Sequence, residues 1–167
     1  MAWGDAARHD SDAFRGSIRV TEEPSVDAFA TIHRGLEEST TGMVGPAQLR
    51  PLVALLEDAS GVAVGGLWGR TAYSWLTIEM LFVPVSLRRH GLGSRLIGAA
   101  EAEARQRSCF AAQVCTFNFQ APDFYRRLGY SVFAVQPDMP PGHSTSFLRK
   151  LLVAALHALG GGGRNQS

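Results

Sequence analysis

The apolar residues of the chain recur with two periods, which predict strands interleaved with helices. Segments that alternate between apolar and polar residues, or are apolar throughout and bounded by turn residues, are typical of strands. The strand-like segments are 17–21, 49–57, 62–68, 75–83, 111–117, 130–135 and 145–152. Apolar spacings of three and four residues predict helices that begin near Pro24, Ser94 and Gln120. The order of these elements predicts a mixed sheet with helices on both faces.

The strand at 75–83 is predicted to lie in the centre of the sheet. Its alternate residues form two faces, both largely apolar, so the strand is expected to be covered on both sides. In the helix that follows, Glu101 and Arg105 are an acid–base pair four residues apart, which predicts an exposed face. Before the strands, a cluster of Thr, Gly and Pro predicts a loop at 39–46.

The length of the chain suits one domain with a buried core. Of its 167 residues, 46% are hydrophobic, as in an ordinary globular protein. We expect a loose extension at 1–15, a single domain at 16–152 and a C-terminal tail at 153–167, which is flexible at its glycine-rich end.

Charge and hydropathy argue against several classes of partner. The net charge of +1 argues against a nucleic-acid surface, which would show clustered Lys and Arg. No run of about 18 apolar residues occurs and the first residues lack a secretory signal, so we predict no membrane partner. We expect a cytoplasmic protein whose two cysteines, Cys109 and Cys115, are free thiols buried in the core.

The junction between the strand at 75–83 and the following helix carries glycine and arginine. Gly91 and Gly93 allow the backbone to approach a ligand closely, and the first N–H groups of the helix have no internal partner. Together with the helix dipole, these groups favour an anion. Arg88 and Arg89 add charge-assisted hydrogen bonds to a phosphate. The residues therefore predict a phosphate-bearing ligand at this corner.

The spacing of these residues narrows the class of protein. Arg88-x-x-Gly91-x-Gly93 after a strand resembles the pyrophosphate-binding signature of the GNAT superfamily of acetyl-CoA-dependent N-acetyltransferases. A dinucleotide fingerprint would need a glycine at the position of Leu96, and the Gly-Lys-Ser/Thr of a P-loop is absent.

A second motif carries the same resemblance. Asn118-x-x-Ala121-x-x-x-Tyr125-x-x-x-Gly129-Tyr130 is similar to another pattern of the superfamily, and the two motifs have the order and separation found there. The resemblance extends from the first predicted strand to the last, and two motifs together are far more specific than either one alone.

The resemblance implies a GNAT fold, an α/β (α+β) fold with a central mixed, mostly antiparallel β-sheet of six to seven strands flanked by about four helices. It also implies acetyl-CoA as the cosubstrate. The pyrophosphate is then surrounded by Arg88, Arg89, His90, Gly91, Leu92, Gly93 and Ser94. The backbone of Leu81, Phe82 and Val83 binds the pantetheine arm as an added strand would. Asn118 lies near the arm or a helix start, and Tyr125 near the thioester sulfur.

The resemblance implies direct transfer of the acetyl group, within a ternary complex, to a primary amine of a small molecule or peptide. An alkyl amine has a pKa of about 10.4, so only about one molecule in a thousand is nucleophilic at pH 7. Glu79 is the candidate base that removes its proton, directly or through water, and Tyr125 the candidate acid for the departing thiolate. A backbone N–H near Val83 is the candidate oxyanion donor. A sheet-edge role for Glu79 and a packing role for Tyr125 stay open.

Several alternatives stay open at the level of sequence. The alternative functions are a non-catalytic acyl-CoA-binding module and an acyltransferase for a longer acyl group. Dimers are common in the superfamily, so a homodimer is an alternative to a monomer. The acceptor is expected to be selected by residues around 24–46 and by the loop 136–144, in which His143 is a candidate contact. The sequence at 119–122 and 140–143 resembles a group of bacterial members of the superfamily. We predict no metal, because the five histidines lack ligand spacing.

Overall fold

The computed structural model describes residues 16–152, so the expected extension at 1–15 and tail at 153–167 lie outside the described residues. The chain divides into two compact units, Met1–Val44 and Gly45–Ser167. The described part of the first unit holds one helix, and that of the second holds the sheet. No helix in the described part of the chain is long and apolar enough to cross a membrane.

Helix α1 spans Val26–Val44 and has a clear signal at each end. At its start, the Ala28 N–H donates to Ser25 Oγ at 3.1 Å, which satisfies one free amide of the first turn. After its end, Gly45 has a φ of 80°, which glycine adopts readily, and the next residue is proline. The loop predicted at 39–46 is therefore wrong as far as Val44. Thr and Gly each cost about 1 kcal/mol or less inside a helix, so only the later stop signal ends it.

The segment 17–21 is not a strand, contrary to the prediction. Within the described residues, no strand of the sheet pairs with it. Alternating residues suit a strand, but a strand forms only where a neighbour satisfies its backbone N–H and C=O groups. An alternation of five residues does not determine whether such a neighbour exists.

The second unit is built on a six-stranded sheet. Its strands are β1 (Arg50–Glu57), β2 (Ala63–Ala72), β3 (Trp75–Phe82), β4 (Ala111–Phe117), β5 (Ser131–Pro137) and β6 (Ser144–Leu151). They lie in the order β1-β2-β3-β4-β6-β5. Neighbouring strands are antiparallel except β3 and β4, which are parallel. The predicted mixed, mostly antiparallel sheet is confirmed, and β3 lies inside it as expected. The prediction that β3 is covered on both sides is wrong for its second half, where Met80 and Phe82 are exposed.

Strands β3 and β4 pair along only part of their length. Residues 75–78 of β3 pair with residues 111–114 of β4. Beyond Ile78 and Val114 both strands continue, but they no longer pair with each other. The sheet therefore opens between them, and this opening is called the fork below.

A β-bulge interrupts the pairing of β3 with β2 at the start of the fork. Trp68 of β2 lies opposite Met80, but the next residue of β2, Gly69, lies opposite Ile78. Glu79 is thus an extra residue on β3, and a bulge of this kind bends the strand and redirects its side chains.

The bulge reverses the alternation of β3. Leu76 and Ile78 are buried before it, whereas Leu81 and Val83 pack against the core after it. The two faces predicted from strict alternation are therefore wrong beyond Ile78. An extra residue shifts every later side chain to the opposite face, and a periodicity of two contains no signal for it.

Two α-helices pack with this sheet. Helix α2 (Leu92–Gln106) lies against the first three strands, and helix α3 (Pro122–Arg127) contacts β5. A 3-10 turn, Val85–Leu87, precedes α2. The core residues of this unit include Leu67, Leu76, Ile78, Leu96, Ile97, Ala100, Ala104, Val114, Tyr125, Tyr130 and Leu148.

Glu101 of α2 is buried in this core rather than exposed as predicted. Its side chain is 5% exposed, and Lys150 of β6 donates to both of its carboxylate oxygens at 2.8 and 2.7 Å. Arg105 lies 3.4 Å from the same carboxylate. The pair with Arg105 is present, but Lys150, the single lysine of the chain, compensates most of the buried charge.

Candidate active site

A cleft of about 890 Å³ lies at the fork between β3 and β4. Three parts of the chain line it: the second half of β3, the loop that leads into α2, and the segment from β4 to α3. The residues predicted for the site that line it are Glu79, Leu81, Phe82, Val83, Arg88, Arg89, Gly91, Leu92, Gly93, Ser94 and Tyr125. Residues distant in sequence thus meet in one cleft, because the fork brings β3, α2 and α3 together.

The start of α2 forms one end of this lining. Gly91 caps the helix with a φ of 73°, and the first helical hydrogen bond joins the Arg95 N–H to its carbonyl at 3.0 Å. The N–H groups of Leu92, Gly93 and Ser94 therefore precede the first helical bond, beside the cleft. A methyl group on Gly91 would meet nothing within 4 Å, so the backbone here is open to a ligand.

At Gly93, unlike at Gly91, a side chain would collide with a neighbouring residue. A methyl group at this position would lie 3.2 Å from Cζ of the Phe124 ring. That distance is shorter than an ordinary contact between carbon atoms. The close approach holds the start of α2 against α3, and Phe124 itself lines the cleft.

The predicted cationic residues of the loop have different positions. Arg88 lines the cleft, but its Nε donates to the Val83 carbonyl at 3.0 Å, so the side chain folds back onto the end of β3. Arg89 lines the cleft with a φ of 66°, and Arg127 of α3 lines it too. His90 is exposed outside the lining. Three arginines and one carboxylate at the cleft favour an anionic ligand.

The backbone of β3 beyond Ile78 supplies an open strand edge. Leu81 pairs with Leu67 of β2 on one side, and Phe82 pairs with Gly66. On the other side, the pairing with β4 has already ended. An unpaired strand edge presents a row of free N–H and C=O groups, so it suits an extended ligand that pairs with it as a strand.

Glu79 faces this cleft from the bulge. Its carboxylate forms an ion pair with Arg70 at 2.9 Å, and its side chain is 32% exposed. The bulge explains why a carboxylate can lie on an internal strand, because an extra residue redirects the side chains around it. The sequence marks Glu79 as a polar residue in an apolar run but contains no sign of the bulge.

Tyr125 lines the cleft from α3 and is 6% exposed. Burial, with a smaller contribution from the nearby Cys115 thiol, raises the pKa of Tyr125 to about 12. The phenol is therefore protonated at neutral pH and available as a hydrogen-bond donor. Its ring packs edge-on against Tyr130, with the centroids 5.8 Å apart. Burial, followed by the Glu101 carboxylate, also raises the pKa of Tyr130.

Asn118 does not line the cleft, although the second motif includes it. Its backbone N–H donates to the Ser144 carbonyl at 2.9 Å, so it connects the end of β4 to the start of β6. Gln120, which no motif indicated, lines the cleft and accepts a hydrogen bond from Thr116 Oγ1 at 3.1 Å. Its Oε1 also accepts from the Phe117 N–H at 3.2 Å, and these bonds fix the turn before α3.

Cys115 departs from the prediction for the two cysteines. Cys109 is buried at 1% exposure, as expected, but Cys115 is exposed and lines the cleft. Alternation along β4 explains the difference, because its neighbours Val114 and Thr116 face the buried side.

An open strand edge beside a cationic helix start, with a carboxylate and a protonated phenol in the same cleft, suits an enzyme that binds an extended anionic ligand. Comparison with known proteins gives the family. The Acetyltransferase (GNAT) family model matches residues 17–130. The chain belongs to this family of acetyltransferases.

Similar proteins agree with this assignment. The chain is 47% identical over 93 residues to a blasticidin-S acetyltransferase from Streptomyces morookaense, covering 55% of this chain and 68% of that one. It is 34% identical over 131 residues to an acetyltransferase from Agrobacterium fabrum, covering 78% and 96%. A crystal structure of an acetyltransferase from Bacillus cereus superposes with a TM-score of 0.71 at 26% identity, covering 80% and 97%.

Proposed function

We propose that this protein transfers an acetyl group from acetyl-CoA to a primary amine of a small molecule, directly within a ternary complex. The observation that carries the proposal is the fork. It leaves an open edge on β3 that leads from the start of α2 to Glu79 and Tyr125. A long ligand with a phosphate at one end and a reactive group at the other matches that arrangement.

The residues at the cleft fit acetyl-CoA as the donor. The N–H groups that precede the first helical bond of α2, with Arg89 and Arg127, suit its pyrophosphate. The edge at Leu81 and Phe82 suits the amide groups of its pantetheine arm. When bound, acetyl-CoA supplies the thioester, and the chain supplies orientation and proton transfer.

Glu79 is the proposed base. It is the single carboxylate among the described residues that line the cleft, and the ion pair with Arg70 at 2.9 Å orients it. An amine acceptor reaches the site mainly as the ammonium ion, so it must lose a proton before it can attack. Glu79 accepts that proton directly or through one water molecule.

Tyr125 is proposed to stabilise the departing thiolate by a hydrogen bond. A thiol has a pKa of about 8.5, so full transfer of a proton from a phenol whose pKa is about 12 is unfavourable by about 5 kcal/mol. A hydrogen bond to the thiolate needs no such transfer. Tyr125 therefore acts better as a donor that keeps its proton than as a general acid.

The acceptor is proposed to be the amine of a small molecule rather than of a peptide. The support is the relative from Streptomyces morookaense, which is 47% identical over 93 residues. Its name, blasticidin-S acetyltransferase, gives blasticidin S as the acceptor of that protein. We therefore take blasticidin S as the first amine to test, followed by other small amines.

Binding of the donor is tested by thermal unfolding with acetyl-CoA, CoA, NAD and ATP. A ligand at about 100 times its Kd stabilises the folded state by about 2.7 kcal/mol, which is several degrees for this size of domain. We expect acetyl-CoA and CoA to raise Tm and NAD to leave it unchanged. Arg89→Ala should shrink the shift, whereas Arg126→Ala, the same change of charge outside the cleft, should not. An unchanged Tm at saturating acetyl-CoA would reject the proposal.

Transfer is tested by release of CoA thiol in the presence of the amines. Glu79→Gln keeps the size of the side chain and removes the base, so we expect kcat to fall by about 100-fold or more. The acetyl-CoA shift in Tm should persist in this variant. If kcat stays within about threefold of the wild type, Glu79 is not the base. Binding of acetyl-CoA without turnover of any amine would favour a non-catalytic acyl-CoA-binding module. Turnover only with a longer acyl-CoA would favour an acyltransferase for longer acyl groups.

A further inference from the structure

Cys115 lies where β3 and β4 separate. The last pair between the two strands is Ile78 with Val114, so Cys115 is the first residue of β4 inside the fork. On its other side it is held in register opposite Phe147 of β6. Its side chain is exposed and lines the cleft. A thiol is therefore fixed on a rigid strand at the inner end of the open edge.

Tyr125 supplies an independent sign that a ligand reaches this point. The side chain is more than nine-tenths buried, yet it lines the same cleft as Cys115. Among the described residues, burial and Cys115 are the causes that raise the pKa of its hydroxyl, and no hydrogen bond contributes. The hydroxyl is not among the buried side-chain atoms that lack a partner, so it reaches the cleft, where it can donate a hydrogen bond to a ligand atom.

We propose that Cys115 is a modification site that takes up coenzyme A from a coenzyme A disulfide, forming a mixed disulfide. This inference rests on the proposed function, in which the start of α2 binds the pyrophosphate and the open edge of β3 binds the pantetheine arm. With both bound, the sulfur of the ligand lies at the fork. Binding the nucleotide end holds that sulfur near Cys115, which raises its effective concentration.

The reaction is a thiol–disulfide exchange that needs no other oxidant. The Cys115 thiolate attacks one sulfur of the coenzyme A disulfide, its S–S bond breaks, and a bond forms between that sulfur and Cys115. The other coenzyme A leaves as a thiolate, and the proton of the Cys115 thiol goes to solvent. The bound coenzyme A then occupies the cleft and blocks acetyl-CoA until a thiol reductant removes it.

The experiment uses the reduced, full-length protein and coenzyme A disulfide, with intact mass and peptide mapping as the readout. We expect one coenzyme A per chain, on Cys115, removed by dithiothreitol. Cys109 is an internal control, because it is buried at 1% exposure. Cys115→Ser should take up none while keeping its thermal unfolding transition. Pantethine, the same disulfide without the nucleotide, should react at least about tenfold more slowly.

Two further comparisons make the inference falsifiable. Arg89→Ala should slow the reaction with coenzyme A disulfide and leave that with pantethine unchanged. Equal rates for the two disulfides would show a merely exposed thiol, and a coenzyme A found on Cys109 would place the site elsewhere; either result overturns the inference. A protein that acetyl-CoA stabilises but that takes up no coenzyme A keeps the proposed function and loses this inference. A protein that does neither loses both.

Discussion

At the scale of single residues, burial controls the chemistry of the Tyr125 phenol. Removing the hydroxyl from water disfavours its charged form, so its pKa in the folded protein rises from 10.0 to about 12. The unfolded chain loses this proton near pH 10. Stability from this group is therefore fully present below about pH 10 and is lost as the pH rises towards 12.

Tyr125→Phe tests this linkage. In the wild type, the free energy of unfolding should fall between about pH 10 and 12, by on the order of 2–3 kcal/mol for this one phenol. The variant lacks the titrating group, so its curve should be shallower over the same interval and parallel to the wild type between pH 7 and 9. The measurement is denaturant unfolding at a series of pH values. Curves that stay parallel up to pH 12 would contradict a buried phenol.

At the scale of elements, two glycines in regular structure have opposite roles. Gly98 is exposed in the middle of α2, and a methyl group there would meet nothing within 4 Å. Gly69 lies at the bulge in β2, where a methyl group would fall 2.4 Å from the Thr77 carbonyl oxygen. The first glycine is dispensable, whereas the second permits the two strands to approach at the bulge that contains Glu79.

The same substitution at both positions separates these roles. Gly98→Ala should stabilise the protein by about 0.5–1 kcal/mol, because alanine is the better helix former. Gly69→Ala should destabilise it by about 1–3 kcal/mol through overpacking and should lower kcat as well, because the bulge positions Glu79. Chemical denaturation and the thiol-release assay measure both effects. A Gly69→Ala variant of wild-type stability would show that the bulge tolerates a side chain.

The sequence predicts elements more reliably than it predicts their boundaries and pairing. The positions of the strands around the fork and of helices α2 and α3 agree with apolar periodicity, because each segment carries its own pattern, but the alternation of β3 fails beyond Ile78. The predicted strand at 17–21 is wrong, and the predicted loop at 39–46 is wrong as far as Val44. A strand at 17–21 would need a neighbouring strand to pair with, and the start of the loop depends on the residue at which helix α1 ends. The bulge at Glu79 was missed because it is a property of two strands in register.

At the scale of the whole molecule, the ion pair of Glu101 with Lys150 connects α2 to β6. The carboxylate is buried, and Lys150 satisfies it at 2.7 and 2.8 Å. The ammonium group also lies 5.6 Å from the centre of the Tyr130 ring, and that ring packs against Tyr125. This chain of contacts joins α2, β6 and the cleft.

Lys150→Met should destabilise the protein by about 3–5 kcal/mol, because it leaves a buried carboxylate with only the longer contact to Arg105. Glu101→Leu combined with Lys150→Met removes both charges and should recover most of that loss. Arg126→Ala breaks an exposed pair with Asp123 and should change stability by less than about 1 kcal/mol. Urea unfolding of the four proteins measures these differences. A double variant as unstable as Lys150→Met would argue that the side chains, rather than the charge, support the core.

The sequence by itself determined the family resemblance, the glycines and arginines at the start of α2 and the strand–helix order. These are local properties: glycines at Gly91 and Gly93, a motif that includes Tyr125, and apolar periods within single segments. The tertiary structure decided where the sheet opens, which way Glu79 points, that Arg88 folds back onto Val83, and that Cys115 faces the cleft while Glu101 is buried. Each of these depends on register and packing between segments far apart in the chain, and no local pattern encodes the partner that a distant strand or helix supplies.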